Sequence, residues 1–287
     1  MKKYLSVFLL ILFGFFYFFC ALGSSSSNKF EKVSQIYKDH PKVTFSKETI
    51  YENNSVIMKV TGSENTSEGT KINFYIENNS NLNLSFCAHS YGVNGIMTRN
   101  NIYDMRTEVA SGKKANTSLL IENSLLTDYD IDYIKYVDIL FWAYDNDKSI
   151  KSFETNVIRI KSDKYDEYSS WLSGKEVYNK NKIKIDYLST DNDKIKYVVT
   201  NTTGNNLVIT FNGISINDYT VSGTDFDLYD EQILNNNQCV FEINVKNDFK
   251  TQNNIKSITK VDFYLSYREN TDYTTHKTEN ITTIIKK

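Results

Sequence analysis

Proline, cysteine and histidine are scarce in this chain of 287 residues, with one, three and three of each, and no long uncharged apolar run occurs beyond residue 22. With Pro41 the sole proline, able to start an edge strand but not to sit in a central one, punctuation falls to Asn, Asp, Gly and Ser. Beyond residue 22 only Cys87 and Cys239 remain, in different halves of the chain, so no structural disulfide is expected. Cys239 keeps register with Phe241, Ile243 and Val245 and reads as a small buried core residue, and Cys87 after Phe86 reads the same way. His40, His89 and His276 are scattered, with none at a metal-ligand spacing, so no zinc site is expected. Eleven glycines build neither a Gly-x-Ser-x-Gly elbow nor a phosphate-cradling loop, and Ser111-Gly112-Lys113 and Ser222-Gly223-Thr224 read as ordinary turns. A formal net charge of -2 from well-mixed Lys, Asp and Glu leaves no basic stripe to neutralise a phosphate backbone, so nucleic acid is not an expected partner.

What is present begins at the N-terminus. Lys2 and Lys3 precede an uncharged apolar run from Tyr4 to Leu22, followed by Ser24 to Ser27, which is the pattern of an export signal. Three fates stay open. Ala21-Leu22-Gly23 fits signal cleavage after Gly23, the preferred reading, with a mature start at Ser24. Cys20 is the second choice, as a lipidation site, although Phe18 and Phe19 are bulky where a bacterial lipobox has small residues. An uncleaved segment is long enough to span a bilayer. Each fate puts the body outside the cytoplasm, secreted or at the cell surface, with the membrane touched only through this segment.

Tyr (21) and Phe (17) are abundant and the chain is 40% hydrophobic, enough to bury a core in each of two medium domains. The chain also repeats itself once. Ile72-Asn73-Phe74-Tyr75-Ile76-Glu77-Asn78 matches Ile195-Lys196-Tyr197-Val198-Val199-Thr200-Asn201, and Val93-Asn94-Gly95 falls opposite Ile216-Asn217-Asp218. Val137-Asp138-Ile139-Leu140-Phe141 later matches Val261-Asp262-Phe263-Tyr264-Leu265. Blocks in one order at one spacing indicate duplication of a whole domain. Within each copy the apolar period is two, as in Ile72, Phe74 and Ile76 or Leu207, Ile209 and Phe211. The reading is all-β: two tandem immunoglobulin-like antiparallel β-sandwich domains of about seven short strands each. The expected boundaries are signal or anchor 1–23, linker 24–42, first domain 43–161, linker 162–174 and second domain 175–287. Asn78-Asn79-Ser80 and Asn201-Thr202-Thr203-Gly204 are expected to be hairpin turns. A short crossover helix is expected within Ser124 to Tyr136, where Leu125, Tyr129 and Tyr133 share a helical face.

The order of strand, Ile-Glu-Asn-Asn turn, strand, Val-Asn-Gly, Ser111-Gly112-Lys113-Lys114-Ala115 and a late Ile-Asp-Tyr-Ile resembles uncharacterised repeat domains of exported proteins and lipoproteins of Gram-positive bacteria. That resemblance implies an immunoglobulin-like sandwich and brings no catalytic residues. It covers Val43 to Lys161 well. The second copy departs from it, with Asn217-Asp218 for Asn-Gly and Asn235-Asn236-Asn237-Gln238 for the Gly-Lys-Lys turn.

Candidate chemistry is thin. Asp145-Asn146-Asp147, Asp191-Asn192-Asp193 and Asp128-Tyr129-Asp130 with Asp132 have the composition of calcium loops but not the EF-hand spacing, and Asp-Asn-Asp is as good a hairpin turn. Trp142 and Trp171 could stack on sugar rings, or pack in a core or between domains. No catalytic, metal or cofactor-binding residue is assigned. The expected role is binding, adhesion or structure without catalysis, toward an unknown protein or glycan partner outside the cell. The alternatives are an accessory carbohydrate-binding surface module, which needs exposed aromatics on one sheet, and an enzyme whose cleft gathers acids or histidines from both halves.

Overall fold

The computed structural model describes residues 40–98, 105–148, 150–167, 171–191, 193–222, 230–269, 272 and 274–285. Gly23 and Cys20, with the whole expected leader, lie outside the described residues. Among the described residues the protein is almost all β, 59% strand and 5% helix.

The first half runs β1 (Glu48–Glu52), β2 (Val56–Asn65), β3 (Gly69–Asn78), β4 (Leu84–Val93), β5 (Ile96–Met97), β6 (Thr107–Val109) and β7 (Lys113–Glu122). After helix α1 (Asn123–Asp128) come β8 (Tyr136–Asp145), β9 (Ile150–Glu154) and β10 (Ile158–Lys161). The second half runs β11 (Lys175–Lys180), β12 (Ile183–Asp191), β13 (Lys194–Asn201), β14 (Leu207–Ile216), β15 (Tyr219–Thr220), β16 (Glu231–Ile233) and β17 (Asn237–Asn244). Helix α2 (Asn247–Gln252), β18 (Lys260–Glu269), β19 (His276–Lys277) and β20 (Ile281–Ile284) complete it. Among the described residues, ten strands per half exceed the expected seven because short pieces such as β5, β6, β15 and β19 pair beside the long ones.

One hydrophobic cluster lies between the sheet β1-β2-β3-β7 and the strands β4, β8 and β10. A second lies between β11-β12-β13-β17 and the sheet built on β14 and β18. The period of two explains both: Ile72, Phe74 and Ile76 are fully buried while Asn73, Tyr75 and Glu77 are partly exposed.

The same local devices recur at a fixed spacing. Asn78 donates from Nδ2 to the carbonyls of Leu82 and Val109, both at 2.8 Å, and its Oδ1 accepts from the N–H and hydroxyl of Ser80. Asn201, 123 positions on, donates to Asn205 and Ile233 and accepts from Thr203 in the same way. Asn94 and Asn217, both at positive φ, each accept two backbone N–H groups at the start of β8 and of β18, from Lys135 and Tyr136 and from Thr259 and Lys260. Helices α1 and α2 each end on a residue in the left-handed region, Asp130 and Asn254.

Two expectations are corrected. The Asn78 and Asn201 segments are not hairpin turns: β3 pairs with β2 and β7 while β4 pairs with β8, so the chain crosses between sheets there. Each Asn side chain replaces the ladder bonds that a crossover gives up. The crossover helix is shorter than Ser124 to Tyr136, since Asp130 at φ 53° stops it after two turns at most.

The two halves meet along a sheet edge. Strand β5 pairs with β4 on one side and, in parallel through Gln238, with β17 on the other, so β10-β8-β4-β5-β17-β13-β12-β11 is one continuous sheet carrying β6 and β9 as side branches. This joint explains why β4 and β8 are buried on both faces and do not alternate cleanly. Met97 and Leu140 belong to the second half's cluster, and Trp142 and Val157 pack against it. The linker residue Leu172 is held by the Gln238 side chain, which accepts its N–H at 2.8 Å and donates to its carbonyl at 3.0 Å.

Candidate functional site

Where β8 and β10 face the turns of the second half, a cleft of about 580 Å³ opens. The first half supplies Asp138, Glu154, Thr155, Asn156, Val157 and Arg159 to its lining, and the second half supplies Gly204, Asn205, Asn206, Asn235, Asn236 and Glu269. Strand parity decides the first wall. Ile139 and Phe141 point into the first core, so Asp138 points the other way, and the antiparallel β8–β10 ladder places Arg159 directly opposite it.

The guanidinium forks onto the carboxylate, Nε to Oδ1 and Nη2 to Oδ2 at 2.7 Å each, and lies 3.9 Å from the centroid of the Tyr136 ring. Asn237 Nδ2, from the other half, donates to Asp138 Oδ2 at 3.1 Å. The fork raises the Arg159 pKa, so the guanidinium stays charged at the floor of the cleft. The second wall is an interlocked set of amides. Asn206 Oδ1 accepts the Asn235 N–H at 2.9 Å, Asn235 Oδ1 accepts the Gly204 N–H at 3.0 Å, and Asn205 Nδ2 donates to Glu269 Oε1 at 2.8 Å. Asn236 takes φ 58°, the turn position that Gly112 occupies at φ 66° in the first half.

Chemically the cleft offers amide donors and acceptors and three carboxylates, against one guanidinium already bound to one of them. Such a lining suits a hydroxylated or weakly cationic ligand and disfavours a polyanion. Acids from both halves do line one cleft, a convergence invisible in the sequence because Asp138, Glu154 and Glu269 stand far apart in it. The sequence held one signal: Asn235 to Gln238 stand where the first half has its Gly-Lys-Lys turn.

The residues singled out from sequence mostly lie elsewhere. Cys87 and Cys239 are buried thiols not joined in a disulfide, with Cys87 inside β4 and its thiol pKa pushed up by burial. His40 hydrogen-bonds near Asp132 and Thr127, and His276 stacks on Tyr267. His89 sits at the bulge of β4, its ring stacked on Trp142 at 3.2 Å, and burial lowers its pKa to about 4. Trp142 is half-buried, with His89 against its ring, the Lys151 ammonium 4.5 Å from the centroid and the second half's core beside it. Trp171 is 38% exposed. Asp145 accepts the Asp147 N–H as a turn residue, and Asp193 pairs with Lys250. Among the described residues no three His, Cys, Asp or Glu side chains gather as a metal site.

Fold and site together define an almost all-β protein with a polar cleft at the junction of two cores. No protein-family model matches the chain and no curated protein matches its sequence. Among solved structures it is similar to the crystal structure of CBD12 from CALX1.2, at 8% identity and a TM-score of 0.19, over 71% of this chain and 77% of that one. A likeness that low carries no argument about fold or function.

Proposed function

We propose that the chain is an exported protein, secreted or held at the cell surface, whose two tandem immunoglobulin-like β-sandwiches bind a ligand in the cleft between them without transforming it. The observation that carries the reading is the cleft itself, lined in equal number by residues of both halves and fixed in shape by the joint. The recurring Asn78 and Asn201 networks support duplication of one domain over 43–161 and 175–287. The export pattern of Lys2 to Ser27 supports the location. The resemblance to repeat domains of Gram-positive exported proteins and lipoproteins fits both.

Catalysis is the weaker reading because each acid of the cleft already serves a neighbour: Asp138 binds Arg159 and Asn237, Glu269 binds Asn205, and Glu154 takes Lys151 at 2.7 Å. A glycan ligand is favoured by the amide lining, through hydrogen bonds to hydroxyls. Stacking on Trp142 is not favoured, since His89 and Lys151 lie against its ring.

The test is binding of the mature chain to an array of bacterial and host surface glycans, followed by titration of the best ligand. Asn156→Ala and Asn236→Gly, both exposed and outside the joint, should each weaken binding roughly tenfold, about 1.4 kcal/mol. Unchanged affinity in both variants would place the ligand elsewhere. Cleavage of the bound glycan, lost in Glu154→Gln, would replace binding with catalysis.

A further inference from the structure

The joint between the halves is built from a face of the first half and a strand end of the second, and each half carries both features. The face comprises Gly92, Gly95, β5, Asp138, Leu140 and Trp142; the strand end is the start of β17, Asn237 and Gln238. Their counterparts, fixed by ladder register, are Ser215, Asp218, β15, Asp262, Tyr264 and Ser266 for the face, and Lys113 and Lys114 for the strand end. A contact of this head-to-tail kind does not close on itself, and an unmodified repeat would propagate into filaments.

We infer that the two unused features are altered so that they cannot receive a second copy of this chain, which makes the pair of halves a closed, rigid two-unit body. The inference rests on the equivalence of the halves and is independent of what the cleft binds.

The strand end shows it first. Asn237 and Gln238 are buried, with relative exposures of 0% and 2%, and the Gln238 N–H donates to the Gly95 carbonyl at 2.7 Å. Lys113 and Lys114 stand at the same ladder positions in solvent, Lys114 paired with Glu77 at 3.4 Å. Burying two ammonium groups in the place of two amides is strongly unfavourable.

The face shows it independently. A Cβ on Gly92 would come within 2.7 Å of Asn237 Oδ1 and 3.1 Å of the Ile96 carbonyl oxygen, so any larger residue must displace that amide; the counterpart is Ser215, with its hydroxyl turned to Asp262 at 3.3 Å. Asp138 receives Asn237, whereas Asp262 is taken up by Lys260 at 3.1 Å and Thr282 at 2.5 Å. Met97, Leu140 and Trp142, which pack into or against the second core, become Thr220, Tyr264 and Ser266. Polar outer faces of this kind are what terminal units of repeat proteins need.

The experiment uses the mature chain and two variants. One restores the strand end with Lys113→Asn and Lys114→Gln; the other restores the face with Ser215→Gly, Asp218→Gly, Thr220→Met, Tyr264→Leu and Ser266→Trp. By light scattering the wild type and the first variant alone should be monomers at every concentration, and the two variants mixed should give a complex of twice the mass. A third variant, Gly92→Ser, copies the second half's residue into the working joint and should open it, seen as a larger radius of gyration in X-ray scattering with both cores still folded. Head-to-tail association of the wild type would overturn the inference, as would folded variants that mix without complex formation. If the face variant fails to fold, Gly92→Ser decides alone, and a folded protein with an unchanged scattering profile would refute the inference.

Discussion

Single residues at the boundary between the halves carry consequences out of proportion to their number. His89 is neutral in the fold because burial drops its pKa from 6.5 to about 4, with Glu154 and Lys151 opposing each other nearby. The unfolded chain therefore binds one more proton than the native one between those values, so this residue makes stability rise with pH from about 4 to about 6.5 and leaves it flat above. His89→Asn, the residue found at the equivalent position 212, should remove that increment. Urea midpoints of wild type and variant compared across the window check it; identical pH profiles would show that the ring is accessible to protons in the native state. Cys239 was legible as a core residue from alternation and Cys87 only from its place after Phe86, whereas the bulge that turns His89 toward Trp142 was not legible, because a bulge breaks the very alternation that sequence reading depends on.

Among the elements, the two strand crossovers are the most informative. Asn78 and Asn201 look like turn residues, yet both are fully buried and each satisfies two carbonyls, one in its own crossover (Leu82, Asn205) and one at the end of β6 or β16 (Val109, Ile233). Truncating either strands a buried carbonyl and one N–H. Asn78→Ala and Asn201→Ala should each lower unfolding stability by about 2–3 kcal/mol, in line with the loss of buried hydrogen-bond partners. Equilibrium denaturation measures this, and a cost below about 0.5 kcal/mol would show that water replaces the amide. The apolar period identified the long strands and the spacing of Asn and Asp identified the breaks. Neither disclosed whether a break joins neighbouring strands or carries the chain to the other sheet, since both need the same turn residues.

At the scale of the whole molecule, the continuous sheet through β5 and β17 turns two cores into one body and opens the cleft at their junction. On the proposed reading the N-terminal segment decides where that body works. Cleavage after Gly23 should give an intact mass beginning at Ser24 in the aqueous phase of a detergent partition of the native host. A lipid-shifted mass beginning at Cys20 would instead make the protein a surface lipoprotein and direct the search for ligands to the envelope. By itself the sequence determined the β class, the long strands and the burial of Cys239, because each rests on local periodicity. Only the tertiary structure decided that Asn237 meets Asp138, that Gly92 makes room for it, and that Asp138, Glu154 and Glu269 share one cleft. Those meetings depend on strand pairing across more than a hundred residues, and strand pairing leaves no local periodic mark on the residues it joins.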